Sequence, residues 1–112
     1  MVAAKNELFD KDLQACADFF KALAHPARLQ ILKYLAETKT CITGDISDEL
    51  PLSRTTVSQH LRELKETGLV RGEIDGSRTN YCLVPEKIQE MESAISQLLS
   101  KIKTECANSI KC

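Results

Sequence analysis

The strongest pattern in this 112-residue chain is Leu52–Gly76, which reads LSRTTVSQHLRELKETGLVRGEIDG. Ser53 is a typical N-cap residue, so a helix is predicted to begin directly after it. Apolar residues spaced by four and then three positions share one side of that helix: Val57, Leu61 and Leu64. Gly68 suits the left-handed position that follows a helix, and Leu69 is then placed to pack against Leu64. The segment therefore predicts a capped amphipathic helix that stops at Gly68.

A helix-turn-helix followed by a hairpin is predicted around this helix. A short helix over Thr43–Leu50, with Thr43 as its cap, ends at Pro51, which cannot donate a backbone hydrogen bond. A turn of about three residues then leads into the next helix. Two strand-like segments follow, Leu69–Ile74 and Arg78–Val84, with turn residues at 75–77 between them. This order is typical of a winged helix, in which the hairpin forms the wing.

Two helices are predicted before the helix-turn-helix. The first covers Leu13–Leu23 and carries apolar residues at helical spacing: Leu13, Cys16, Ala17, Phe20 and Leu23. The second begins at Pro26, which suits the first position of a helix, and runs to about Ala36. Its wide apolar stripe is typical of a core helix: Leu29, Ile31, Leu32 and Leu35.

The last predicted helix covers Pro85 to about Glu105. Its apolar residues alternate steps of three and four, as in helices that pair with one another: Ile88, Met91, Ile95, Leu98 and Ile102. We expect one mainly α domain over residues 1–112, a winged helix-turn-helix with the order α-α-α-α-β-β-α. We expect it to form a dimer through helices at about 7–24 and 85–106.

The side of the fourth helix opposite its apolar residues is polar, and acidic residues appear there only in the last turns. Arginine and glutamine recognise the donors and acceptors of the DNA major groove, and serine or threonine supports them, mainly from the N-terminal turns of such a helix. Arg78, at the wing, is placed to reach phosphate or the minor groove. The candidate DNA-binding residues are Ser53, Arg54, Thr55, Thr56, Ser58, Gln59, His60, Arg62 and Arg78. For His60, packing and a phosphate contact both stay open.

Composition restricts the class of protein. The net charge of −1 gives no overall basic surplus, so the argument for DNA depends on the local arrangement of Arg54, Ser58 and Arg62 on one helix face. No stretch approaches the roughly 18 apolar residues of a membrane span, and the N-terminus has no signal-peptide pattern. We expect a cytoplasmic protein without membrane contact. The five cysteines are irregularly spaced, which indicates reduced thiols rather than a disulfide framework.

Four segments match the pattern of a known family: HPARLQIL at residues 25–32, LSRTTVSQHLREL at 52–64, Gly68-Leu69-Val70 and Gly76-Ser77-Arg78. They resemble the ArsR/SmtB repressors over roughly residues 13–102. The resemblance implies a homodimer that binds double-stranded operator DNA with an inverted repeat, without a cofactor. It further implies release from the operator by an inducer, usually a metal or metalloid ion, and dimerisation through the first and last helices.

The cysteines are the candidate inducer ligands. Cys41 lies close to the place of the family's cysteine cluster but stands alone here, and the last helix has no histidine for the family's zinc site. Cys106 and Cys112 lie in a polar tail, which Cys16 would approach if the first and last helices pair. Trivalent arsenic or antimony, or copper(I), suits two or three thiolates. We expect Cys41, Cys106 and Cys112 to bind such an ion, with Cys16 as a fourth candidate and Cys82 as a small buried residue of the second wing strand.

The sequence also bears on three other functions. A thiol enzyme is excluded, because no Cys-x-x-Cys opens a helix after a strand and no phosphate loop or catalytic constellation is visible. A repressor of the same fold that responds to thiol oxidation or persulfide is an open alternative. A winged helix used for protein contact is another, although Arg54 and Arg62 favour DNA.

Overall fold

The computed structural model describes residues 8–38, 42–43, 50–75 and 78–108. Within them lie helices α1 (Lys11–Leu23), α2 (Pro26–Thr38), α3 (Arg54–Glu66) and α4 (Pro85–Ala107). The strands β1 (Ile42–Thr43), β2 (Val70–Asp75) and β3 (Arg78–Leu83) form an antiparallel sheet in the order β1-β3-β2. The hairpin pairs Val70 with Leu83 at one end and Asp75 with Arg78 at the other. This is the winged helix-turn-helix expected from the sequence, with a third strand added.

The strand β1 was not predicted. Thr43, expected to cap a short helix, instead pairs with Asn80 of β3, and Ile42 pairs with Tyr81. The rest of that predicted helix falls on residues 44–49, which lie outside the described part of the chain, while Leu50 at its end is buried. Two residues are too short a strand for periodicity to reveal, because strand patterns need about four positions.

The N-terminal end of α3 is capped as predicted. The backbone N–H of Thr56 donates to Ser53 Oγ at 3.2 Å, and Ser53 has the extended backbone of an N-cap residue. The hydroxyl therefore satisfies one of the backbone donors that a helix leaves without a partner in its first turn.

The C-terminal end of α3 is a Schellman motif. Gly68 has φ +84°, its N–H donates to Lys65 O at 3.0 Å, and the N–H of Leu69 donates to Leu64 O at 3.1 Å. Leu64 and Leu69 are both fully buried, as expected for the two residues that make the hydrophobic contact of this motif. These bonds fix the direction in which the chain leaves α3 and enters the wing.

The core lies where α1, α2 and α3 meet the sheet. Its fully buried side chains include Ile31, Val57, Leu64, Leu69 and Val70. On α1 the buried side is formed by Cys16, which was predicted, and by Phe19 and Ala22, which were not; Leu23 of the predicted face also packs against the core. Leu13 and Phe20 of the predicted face are exposed, as is Leu29 on α2. Helical spacing alone does not settle which of two adjacent apolar positions faces the core.

The helix α4 extends beyond the core. None of its residues is fully buried in a single chain, and only its first half, including Ile88 and Ile95, packs against the core. Leu99 and Ile102 are more than half exposed. The radius of gyration of 16.9 Å exceeds the roughly 13 Å of a compact chain of this length. Across the described residues, no helix combines the length and apolar character that a membrane span requires.

Candidate nucleic-acid interface

The helix α3 separates its side chains into a buried and an exposed face. Val57, Leu61 and Leu64 are buried, as the sequence predicted. The polar residues on the other side are all exposed: Arg54, Thr55, Thr56, Ser58, Gln59 and Arg62. No acidic residue occurs in the first turn of α3. The N-terminal half of this helix thus presents arginine, hydroxyl and amide groups, and its first turn carries no carboxylate.

Ser53 and Thr56 form a local network at the start of that surface. Their hydroxyl oxygens are 2.9 Å apart, in addition to the capping bond from the Thr56 backbone N–H. Both residues are exposed. The network holds the first turn of α3 in place, and a helix N-terminus favours negatively charged groups such as phosphate.

The C-terminal half of α3 borders a groove of about 380 Å³ beside the sheet. The groove is lined by Ser58, Leu61, Arg62, Lys65, Glu66 and, from β3, Tyr81. Two basic side chains face it against one acidic side chain, although the chain as a whole carries a net charge of −1. Positive side chains are therefore in excess along this part of α3, although they are not in excess over the whole chain.

Arg78 begins β3 at the turn end of the hairpin. Its Cα partner is Asp75, the last residue of β2. The turn residues Gly76 and Ser77 lie outside the described part of the chain. The structure thus places Arg78 at the end of the wing, and its contact with DNA stays a prediction.

His60 does not belong to the exposed surface. It is only 7% exposed, its Nδ1 accepts a hydrogen bond from Arg28 Nε at 3.2 Å, and its ring centroid lies 4.4 Å from that of His25. The expectation of a phosphate contact is corrected, and the packing role holds instead. The sequence contained the signal, because His60 follows Val57 by three positions and shares its buried face.

The two candidate thiols within the described residues, Cys16 and Cys106, are not brought together in one chain. Cys16 is buried on α1, with its Sγ 3.9 Å from Ala94 O on α4. Cys106 is exposed in the last turn of α4, twelve residues or about 18 Å further along that helix. Cys41 and Cys112 lie outside the described residues. Among the described residues, no group of three or more histidine, cysteine and acidic side chains is placed to hold a metal ion.

Cys82 differs from the expectation of reduced thiols. It is buried in β3, as predicted, but it is disulfide-bonded. The spacing of cysteines in the sequence gave no indication of this bond. The strand β1, which the sequence also did not reveal, runs beside β3.

Comparison with known proteins finds similar sequences among transcriptional regulators. Residues 25–71 match the family model described as bacterial regulatory protein, arsR family. An uncharacterized HTH-type transcriptional regulator of Methanocaldococcus jannaschii is 35% identical over 76% of this chain and 96% of its own length. The cadmium resistance transcriptional regulatory protein CadC of Listeria innocua is 33% identical over 76% of this chain and 71% of its own length.

A solved structure shows the same architecture. It is the homodimeric winged helix-turn-helix DNA-binding domain of a possible ArsR-family regulator from Mycobacterium bovis. The TM-score is 0.62 and the identity is 31%, with 80% of this chain and 81% of that chain covered.

Proposed function

Because the chain belongs to the arsR family of bacterial transcriptional regulators, we propose that it is a homodimeric repressor that reads an inverted-repeat operator with the exposed face of α3. The observation that carries this proposal is the division of α3 into two faces. Val57, Leu61 and Leu64 fix the helix in the core, while Arg54 and Gln59 point to solvent from its N-terminal half. These are the side chains that make paired hydrogen bonds to guanine and adenine in the major groove.

A dimer is supported by apolar surface that a single chain leaves uncovered. Leu13 and Phe20 on α1 and Leu99 and Ile102 on α4 are all more than 40% exposed. The related Mycobacterium bovis domain is homodimeric. Pairing these helices with a second copy would bury the exposed side chains and present two copies of α3. A two-fold symmetric dimer requires a two-fold symmetric operator, in which half-sites are about one helical turn apart.

The test is binding to a duplex selected by the protein from a randomised pool. We expect Arg54→Ala and Gln59→Ala each to weaken specific binding by about 1–3 kcal/mol, roughly fivefold to 150-fold. Gln30→Ala is the matched control, since Gln30 is an exposed helical glutamine on α2. Wild-type affinity in both variants would contradict the assignment of α3. Failure of the wild-type protein to select any duplex would instead favour a winged helix that contacts protein.

A thiophilic ion is our first candidate for the inducer. The cadmium resistance regulator among the relatives supports this class of ligand, and Cys106 offers an exposed thiol at the end of α4. Arsenite or antimonite would suit Cys106 and Cys112 with Cys41 as a further ligand, and Cys16 would join only across the dimer. Release requires that the ion bind the DNA-free form more tightly than the DNA-bound form.

This inducer proposal is tested by adding arsenite, antimonite, cadmium, zinc or copper(I) to the DNA complex under reducing conditions. Cys106→Ser/Cys112→Ser should keep its operator affinity and stay bound when arsenite is added. Cys82→Ser is the control and should dissociate like wild type. Dissociation of both the double variant and Cys41→Ser at wild-type arsenite concentration would contradict the proposal.

A second candidate is regulation by thiol oxidation, which the disulfide at Cys82 favours. Cys41 directly precedes β1 in the sequence, and β1 pairs with β3, the strand that carries Cys82. We propose that these two thiols form the bond, giving two electrons and two protons to a peroxide that becomes two waters. Operator affinity should then differ between dithiothreitol-treated and peroxide-treated protein. Cys82→Ser should abolish that difference and Cys106→Ser should retain it, while equal affinities in the wild type would contradict the candidate.

A further inference from the structure

A cluster of three side chains connects α3 to the two helices before it. His60 of α3 accepts a hydrogen bond at Nδ1 from Arg28 Nε, and its ring contacts His25 at a centroid distance of 4.4 Å. His25 is itself fixed, because its Nδ1 accepts the backbone N–H of Ala27 at 3.0 Å at the start of α2. We call Arg28, His25 and His60 the arginine–histidine cluster.

Arg28 extends the cluster to α1. Its Nη1 donates to the carbonyl oxygens of Lys21 and Ala22, at 3.0 and 3.4 Å. These carbonyls belong to the last turn of α1, where the regular backbone donors of a helix run out, and that of Lys21 also accepts the N–H of Ala24 at 3.4 Å. One guanidinium therefore joins the end of α1, the start of α2 and the middle of α3. The link spans 32 residues of sequence between Arg28 and His60.

The cluster requires one protonation state of His60. A nitrogen that accepts the Arg28 bond carries no proton, so the neutral ring has its proton on Nε2. That Nε2 is buried and has no hydrogen-bond partner. A buried polar group without a partner is costly, and an apolar residue would fill the same space without that cost. The position therefore uses the acceptor at Nδ1, which an apolar residue lacks.

We propose that the arginine–histidine cluster is a positioning device for α3 and makes operator affinity depend on a neutral His60. Protonation at Nδ1 removes the acceptor of the Arg28 bond and sets a positive charge against the guanidinium. The link from α3 to the end of α1 is then lost, and α3 is no longer held at the angle that fits the major groove. This inference rests on the operator binding proposed above.

The charges around His60 determine the direction of the effect. Burial, followed by His25 just before α2 and Arg28 on α2, lowers the pKa of His60, and Glu63 on α3 opposes this shift. The part of α1 that joins the cluster contributes backbone carbonyls through Arg28. Because the pKa lies below 6.5, His60 is neutral above pH 6.5 and is protonated only as the pH falls further. Specific binding should thus be full above that pH and decline below it.

Simple charge attraction predicts the opposite sign. Acid adds positive charge to the protein, and added positive charge strengthens contacts with phosphate. A fall in specific affinity at low pH therefore separates the cluster from general electrostatics. Each pH unit below the pKa of His60 should weaken specific affinity by as much as tenfold, because one proton must leave before DNA binds.

The experiment measures binding of the selected operator and of a scrambled duplex from pH 8.0 to 5.5 at constant ionic strength. Histidine occurs in this chain only at His25 and His60, so two variants account for all imidazole titration. His60→Asn keeps an acceptor near the place of Nδ1 but does not titrate. It should bind like wild type at pH 7.5 and show no acid decline. His25→Asn is the control, since asparagine serves as an N-cap. It should keep the decline but shift it to higher pH, because His25 no longer lowers the pKa of His60.

Two further measurements check that the protein stays folded and that His60 has the expected protonation state. Circular dichroism at each pH reports whether the helices persist, and ¹⁵N imidazole spectra should show His60 in the Nε2–H form at pH 7.5. The series continues to lower pH until these spectra show His60 protonated. A wild-type profile that is still flat there, or an equal decline in His60→Asn, would overturn the cluster proposal while leaving operator binding intact. No specific binding by wild type at pH 7.5 would instead refute the operator proposal itself.

Discussion

Gly68 sets the direction of the chain between α3 and β2, and its replacement tests the geometry that joins the DNA-reading helix to the wing. Its φ of +84° lies in the left-handed region, where a residue with a Cβ costs about 1–2 kcal/mol. An added Cβ would meet only side-chain carbons of Lys87, at 3.4 to 3.6 Å. These are ordinary contacts with a flexible side chain, so the steric contribution is small and backbone strain dominates.

The expected loss for Gly68→Ala combines two opposing effects. Backbone strain destabilises the folded state by about 1–2 kcal/mol. Alanine also lowers the conformational entropy of the unfolded chain, which offsets about 0.4–1 kcal/mol. The net loss is about 1 kcal/mol, or about 4 °C in Tm. Gly68→Asn should lose less, because asparagine adopts the left-handed region more readily, and Gly68→Val should lose more, because its side chain is β-branched.

Urea denaturation followed by circular dichroism measures these differences. All variants are compared at one protomer concentration, because the stability of a dimer depends on concentration. The free energy of unfolding should decrease in the order wild type, Asn, Ala, Val. If Gly68→Ala matched wild type, or if Gly68→Asn were as unstable as Gly68→Val, the left-handed backbone at this position would not limit stability and the reasoning would be refuted.

Three more predictions test the core, the dimer and the wing. Leu64→Ala removes a fully buried side chain and should cost about 2–5 kcal/mol in urea denaturation, whereas a loss under about 1 kcal/mol would contradict its place in the core. Ile102→Lys changes a residue that is 55% exposed in one chain, so it should leave the fold intact but give a monomer in sedimentation, with Lys101→Ala as the control that stays dimeric. Arg78→Ala should weaken binding to all duplexes alike and reduce the slope of log affinity against log salt by about one, and a loss confined to the operator would instead indicate base recognition.

The features predicted correctly from the sequence are those that local chemistry determines. Ser53 caps α3 because a hydroxyl at that position can accept a bond from the helix's own backbone. Gly68 ends α3 because the left-handed position favours a residue without a Cβ. Val57 and Leu64 are buried because their spacing matches the helical repeat. Each inference required only residues within a few positions of one another.

The features that the sequence did not reveal depend on contacts between distant segments. The bond from Arg28 to His60 and the pairing of Thr43 with Asn80 join residues more than 30 positions apart. Phe19, rather than the predicted Phe20, faces the core because of the way α1 packs against α4. The disulfide at Cys82 is another such contact. Helical spacing and residue type carry no information on which distant segments meet.

The central claim is that α3 reads bases in the major groove, and modified operators test it most directly. Replacing guanine by 7-deazaguanine, or adenine by 7-deazaadenine, removes the N7 acceptor, which faces only the major groove. At the half-site positions read by Arg54 or Gln59, this change should weaken binding by about 1–3 kcal/mol. Replacing guanine by inosine, which removes the minor-groove amino group, should leave the affinity of the same half-site unchanged. Full affinity for the deaza operators, with loss for the inosine operator, would contradict the account.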